Sequence, residues 1–344
     1  KMLCTETLPW IEKYRPRKLE NIVGHGEIIR VLEKFVALKS LPHLLFFGPP
    51  GTGKTTLIIC LALKLYGKYL DYMFLQLNAS CERGIETVRT KVKNFVTSKN
   101  NIYLPNKIRH LFKMVLLDEI DAMTLEAQGM LRQTIEKNSQ TTRFCLVCND
   151  LDKINRALQS RCTIFRFLPI PTKDMMSRLR LIVSAESVRI TRRALWYIAR
   201  TAHGDLRTAI NLLQRISLTI PGRTVRLKNI YYFTGQYTPK MNQRIFKKLM
   251  LVLDNPDAIN LPKLIVRIER SVNRHNIIIG QLLEQIAYHT IINPKLKACH
   301  AQLIVKLARL ERLAASNLDT STIVSILISF FILAGKNIKN NIHE

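Results

Sequence analysis

Gly48-Pro49-Pro50-Gly51-Thr52-Gly53-Lys54-Thr55 follows the short apolar run Leu44–Phe47 and opens a segment, Thr55–Leu65, with apolar residues at three and four spacing. Strand, glycine-rich turn and helix in that order predict a phosphate loop. The glycines let backbone N–H groups wrap around phosphates, and the helix N-terminus adds favourable partial charge. Lys54 reaches the terminal phosphates, and the Thr55 hydroxyl is placed to ligate Mg²⁺. The run Gly48–Thr56, with Pro49, Pro50, Gly51, Thr52 and Gly53 inside it, is therefore the expected ATP cradle, and ATP with Mg²⁺ the expected ligands.

Outward from this loop, Met73–Leu77, Met114–Leu117, Phe144–Cys148 and Thr163–Phe167 are, like Leu44–Phe47, too short for helices and bounded by turn or polar residues. Five near-continuous apolar strands predict a sheet buried on both faces. Helix-period segments alternate with them at Glu27–Leu38, Thr55–Leu65, Ile85–Val96 and Leu125–Glu136, the α/β pattern of a parallel sheet. The third strand runs into Asp118 and Glu119. Two carboxylates at a strand end, downstream of a phosphate loop, supply what hydrolysis needs: Asp118 to hold Mg²⁺ and Glu119 to polarise the attacking water.

After Phe167 the strand signals fade. Leu168-Pro169-Ile170-Pro171 punctuates the chain, because proline removes a backbone donor and restrains its predecessor. Helical periodicity then dominates in Met175–Ser184, Arg192–Ala202 and Leu206–Ile216, with a second break near Gly235–Pro239. The expected division is an α/β domain over 1–168, a small helical domain over 169–235 and a second helical domain over 236–344.

The 344 residues carry 53 Lys plus Arg against 25 Asp plus Glu, a formal net charge of +28, with 47% hydrophobic residues. The chain can bury cores, and disorder is excluded. So large a basic excess points to a polyanionic partner, nucleic acid first. It is regional: 151–250 holds 20 basic and 4 acidic residues, whereas 101–150 balances at 6 and 6. The most apolar run, Ile323–Ala334, is interrupted by Ser325 and Ser329 and is short of the roughly 18 residues a spanning helix needs, so no membrane partner is expected. No secretory pattern opens the chain, and its seven cysteines are expected as reduced thiols. Cys145 and Cys148 form a C-x-x-C, but on a strand residues three apart face opposite ways, which argues against a shared metal.

The phosphate loop, the two acids and four further signatures resemble the small subunits of replication factor C, the clamp-loader branch of the AAA+ ATPases. Pro9-Trp10-Ile11-Glu12-Lys13-Tyr14-Arg15-Pro16 is similar to the family's N-terminal box, Leu77–Gly84 to the box before its DNA- and clamp-facing helix, Ser160-Arg161-Cys162 to its loader motif and Gly204-Asp205-Leu206-Arg207 to its sensor in the lid. The resemblance implies an AAA+ P-loop domain followed by a helical lid and a helical collar that holds an oligomer of large and small loader subunits. It implies Tyr14, Arg15 and Pro16 near the adenine, Asn149 orienting water beside the γ-phosphate, Arg207 on the same nucleotide, and Arg161 reaching a neighbouring subunit's site. It implies primer–template DNA gripped by Arg83, Arg89 and Lys93, a sliding clamp as second partner, and work in the nucleus or wherever replication occurs. Cys81, Gln76 and Ile120 depart from the family's commoner Asp, Glu and Ala. Two rivals are another AAA+ machine, such as a branch-migration helicase or remodeller, and a structural DNA-binding subunit that binds ATP without turnover.

Overall fold

A computed structural model describes residues 8–38, 40–79, 85–98, 112–235, 239–254, 260–274, 277–316 and 318–343. Two compact units divide the chain between Thr224 and Val225.

The first unit is built on β1 (Leu44–Phe47), β2 (Phe74–Asn78), β3 (Lys113–Asp118), β4 (Thr142–Cys148) and β5 (Thr163–Arg166). Their order is β2-β3-β4-β1-β5, and every neighbouring pair is parallel, with Leu44 opposite both Cys145 and Thr163. The helices before and between them are α1 (Trp10–Lys13), α2 (Gly26–Ala37), α3 (Lys54–Tyr66), α4 (Leu70–Met73), α5 (Ile85–Thr97), α6 (Leu125–Asn138) and α7 (Arg156–Gln159). The period of two sorts the sheet's side chains. Leu44, Phe46, Met114, Leu116, Cys145 and Val147 pack with Leu57, Ile58 and Leu61 of α3. Leu45, Val115, Leu117, Phe144, Leu146 and Cys148 pack on the other face with Leu131 and Ile135 of α6. Cys145 and Cys148 thus fall in different cores, as the strand reading expects.

The three inner strands are buried at all but one position each, Phe47, Asp118 and Arg143, and burial fails at the edges. β5 alternates half-buried and exposed residues, with Ile164 40% exposed, and β2 exposes Gln76. An outer strand has a neighbour on one side only, so apolar composition there does not guarantee enclosure.

Three further helices belong to the same unit: α8 (Thr172–Ala185), α9 (Arg192–Thr201) and α10 (Leu206–Thr219). Pro171 precedes α8, while Thr191 and Asp205 cap α9 and α10 by accepting from Ala194 N and Thr208 N. Buried Met175, Leu179, Ile182, Leu195, Ile198, Ile210 and Leu213 form their shared interior.

The second unit is helical: α11 (Leu227–Thr234), α12 (Pro239–Asp254), α13 (Leu261–Arg274), α14 (Ile279–Ile292), α15 (His300–Ala314) and α16 (Thr320–His343). Ile323, Val324, Leu327, Ile328, Phe331 and Ala334 recur at helical spacing on α16 and sit in its core with Leu249 and Val252 of α12. Gly335 lets the two backbones meet there, since a Cβ on it would lie 2.4 Å from the Leu253 carbonyl oxygen. Among the described residues no helix is long and apolar enough to cross a membrane.

Candidate nucleotide-binding site

The strand order sets β3, β4 and β1 side by side, so their carboxyl ends bring Asp118, Asn149 and the phosphate loop together. The loop keeps its shape through glycine. Gly51 and Gly53 lie in the left-handed region, with φ of 68° and 95°. A Cβ on Gly48 would come 2.2 Å from the Phe167 carbonyl oxygen, and one on Gly51 would come 1.7 Å from Asp205 Oδ1.

Lys54 folds back over the loop and donates to the carbonyls of Gly48 at 2.7 Å and Pro49 at 2.9 Å, and to Asn149 Oδ1 at 3.0 Å. Burial holds its ammonium below the usual lysine range, an effect opposed by the Asp118 charge. Thr55 Oγ1 donates to Asp118 Oδ2 at 2.7 Å, setting a hydroxyl and a carboxylate oxygen together. Glu119, next along, takes the left-handed backbone with φ 57° and donates its peptide N–H to Asp118 Oδ1 at 3.0 Å. Asp121 Oδ2 accepts from the Asn149 peptide at 3.1 Å, so the loop after β3 fixes the residue after β4.

A cleft opens from these groups. It is lined by Pro50 through Thr56, by Asp118, Glu119 and Asn149, by Tyr14, Arg15 and Pro16, and by Arg178, Leu206 and Arg207. Ile11, Ile22, Val23, Ile170 and Ile210 give it an apolar end. One end thus suits phosphates and the other a flat base.

Helices α8 and α10 close the cleft from the side. The Leu206 N–H donates to the Gly51 carbonyl at 3.2 Å. Arg178 Nη2 donates to the Tyr14 carbonyl at 2.5 Å, while the Glu186 carboxylate accepts from Tyr14 Oη at 2.5 Å and Lys13 Nζ at 2.7 Å. Desolvation raises the Glu186 pKa, but these two donors outweigh it and hold the carboxyl below its usual range. Arg15 Nε donates to Thr56 Oγ1 at 3.3 Å, which ties the N-terminal box to the start of α3.

The sequence of Leu44 to Ile170 matches the family "ATPase family associated with various cellular activities (AAA)". Across nearly its whole length the chain is 47% identical to a replication factor C small subunit of Acanthamoeba polyphaga mimivirus, with 94% of each chain aligned. The chain belongs to the replication factor C small-subunit family. A replication factor C small subunit of Methanococcus vannielii is 48% identical over 60% of this chain and 64% of that protein. A RuvB variant from Thermotoga maritima shares the fold, with a TM-score of 0.51 at 19% identity over 74% of this chain and 85% of that one. As a member of that family, the chain is a nucleotide-binding AAA ATPase and one subunit of a hetero-oligomeric clamp loader.

In this chain the expected ATP-site residues meet in one cleft, except that Gly48 and Pro49 serve through their carbonyls to Lys54. Arg161 is not among the lining residues. Its guanidinium pairs with the Glu136 carboxylate, which also accepts from Arg132 Nε at 3.0 Å. Lys93 is exposed on α5; Arg83 and the side chain of Arg89 lie outside the described residues, as does Cys81. Sequence reasoning missed Asp121, Arg178 and Glu186. Asp121 had a signal, a third acid two residues after Glu119; the other two meet partners more than 160 residues away and had none.

Proposed function

We propose that this subunit closes with its neighbours around an open sliding clamp and primer–template DNA when ATP binds, and that hydrolysis releases the loaded clamp. One observation carries the reading. Lys54, Asp118, Glu119, Asn149 and Arg207 converge on one cleft, whereas Arg161 of the same chain stands outside it, paired with the Glu136 carboxylate that it shares with Arg132.

In this reading the Gly48–Thr56 loop and Lys54 cradle the phosphates, and the base takes the apolar end beside Tyr14, Arg15 and Pro16. Glu119 accepts the proton of the attacking water, Asn149 orients that water, and Arg207 contacts the nucleotide in cis. The adjacent Thr55 hydroxyl and Asp118 carboxylate, both hard oxygen donors, fit Mg²⁺, which keeps several waters and takes one or two protein ligands beside phosphates. Bound there, Mg²⁺ would neutralise phosphate charge. Arg161 leaves Glu136 to complete a neighbouring subunit's site, so that hydrolysis depends on ring geometry. Arg83, Arg89 and Lys93 grip DNA phosphates, contacts that read shape and not sequence. The assembly works at the site of DNA replication, the nucleus in a eukaryotic host.

Mixing variant subunits in the assembled loader tests this. Glu119→Gln should keep ATP binding while slowing DNA- and clamp-stimulated hydrolysis by about 10² to 10⁴. Arg161→Ala should keep its own cleft active and slow the neighbouring subunit by roughly 10³ or more. Undiminished turnover in Glu119→Gln, or loss confined to the Arg161→Ala subunit's own cleft, overturns the assignment.

A further inference from the structure

Much of the basic excess in 151–250 is not used by the nucleotide cleft. Between Thr172 and Thr201 the chain carries two carboxylates, Asp174 and Glu186, and Glu186 is committed to Lys13 and Tyr14. Of the arginines there, Arg178 lines the cleft. Arg180, Arg189, Arg192, Arg193 and Arg200 are exposed, and none has an ion-pair partner among the described residues.

Four of these, Arg180, Arg192, Arg193 and Arg200, lie on or beside one helix face. On α9, Arg192, Trp196 and Arg200 follow each other at a spacing of four, which stacks them along one stripe, with Arg193 beside it. Arg192 and Arg180 line the same shallow hollow between α8 and α9, floored by Val183, Ile190 and Leu195. Trp196 is 45% exposed, and the Arg200 guanidinium lies 5.2 Å from the centre of its ring. Solubility accounts for scattered arginines but not for a large aromatic ring left in water among them.

We propose that this face of α9, with Arg180 across the hollow, binds single-stranded nucleic acid. Guanidinium groups track the phosphates, and the exposed ring of Trp196 takes a stacked base, a combination tolerant of sequence because every base has a π-face. An acidic peptide would satisfy the arginines but would leave the ring unused. Duplex DNA offers its bases stacked and out of reach. The surface shares no residue with the cleft or with α5, so it stands or falls apart from the clamp-loading reading.

The test is titration of the full chain with a ten-nucleotide oligo-dT, read by tryptophan fluorescence and by anisotropy of the labelled strand. Trp10 is 9% exposed, so Trp196 is the accessible reporter. Quenching is expected. Trp196→Ala should weaken binding about tenfold. Arg192→Ala with Arg200→Ala should weaken it further and reduce the salt-dependence slope by about 1.4, the effect of two phosphates on a single strand. Both variants should keep the basal ATPase rate, and Arg89→Ala with Lys93→Ala should leave the quenching intact. Unchanged oligo-dT affinity in both α9 variants overturns the proposal, as does equal quenching by a polyglutamate of matched charge or by duplex DNA.

Discussion

The two ends of the central sheet both hold buried polar side chains, yet they differ in the partners those side chains find. At the carboxyl end the bonds surround an open cleft, and half of those named join side chains: Thr55 to Asp118 and Lys54 to Asn149, with Lys54 also donating to the carbonyls of the loop itself. At the amino end they run mainly to fixed backbone. Lys113 Nζ donates to the carbonyls of Phe95 at 2.7 Å and Ser98 at 2.5 Å, Arg143 Nε to Leu41 at 2.5 Å, and Tyr66 Oη to Phe112 at 2.7 Å. Burial of charge therefore does not by itself mark a site. Polar groups facing one another across an open cleft can exchange a neighbour for a ligand. Those spent on backbone carbonyls away from any cleft hold elements together.

If that contrast is right, damage at the carboxyl end should cost ligand binding or turnover, and damage at the amino end should cost stability. The largest effect is expected for Gly51→Ala, which sets a Cβ 1.7 Å from Asp205 Oδ1 on a backbone with φ of 68°. ATP affinity, measured calorimetrically, should fall by a hundredfold or more. Adding Asp205→Ala should recover only part of it, because the backbone strain of about 1 kcal/mol remains. Full recovery would show that the carboxylate alone dictates the glycine.

Lys113→Met tests the other end. It leaves the carbonyls of Phe95 and Ser98, at the end of α5, without their buried donor. Thermal unfolding should show a loss of about 2 to 3 kcal/mol, with ATP affinity unchanged. A matching loss of ATP affinity would erase the distinction between the ends. A smaller effect is expected for Asp121→Ala, which frees the Asn149 peptide. Hydrolysis should drop about tenfold, the equivalent of one lost hydrogen bond of roughly 1.4 kcal/mol, at constant ATP affinity. Asp121→Asn retains an acceptor oxygen and should restore most of the rate.

The same contrast explains how far the sequence could be read. The phosphate loop and Asp118-Glu119 are contiguous, and a strand before each tells where they point, so their meeting follows from parallel strand order. The helices came through as periodicity, ending within one or two residues of Gly26–Ala37, Ile85–Thr97 and Leu125–Asn138. Lys113, Arg143 and His43 gave no signal. A charged or polar residue at a strand start looks like an ordinary solvated terminus until the carbonyls it caps are known. Arg178 and Glu186 were hidden for the same reason, their partners being fixed by how α8 and α10 lie against the N-terminal box. Edge exposure in β5 was equally illegible, because composition does not reveal which strand stands last.

The smallest expected effect is a pH dependence at the amino end. His43 Nδ1 accepts from the Phe144 peptide at 3.2 Å, and burial, aided by the nearby Arg143 charge, pulls the imidazole from 6.5 down to about 4. In the unfolded chain the ring protonates near pH 6.5, while in the folded sheet it stays neutral to about 4. Between those values the unfolded state binds more protons, so this contribution is full above pH 6.5 and is lost as pH falls towards 4. Allowing for partial exposure of the ring, the loss should be about 1 kcal/mol. Carboxylates titrate over part of the same range, so the measurement is a difference: urea unfolding at pH 7 and pH 4.5 for the native chain and for His43→Asn. Asparagine keeps an acceptor near the Phe144 peptide and has no proton to gain, so the variant should lose less stability on acidification. Equal losses would mean that the imidazole is protonated in place and that Phe144 finds another acceptor. ATP affinity at pH 7 should be the same in both chains, because nothing His43 touches reaches the cleft at the opposite end of the strands.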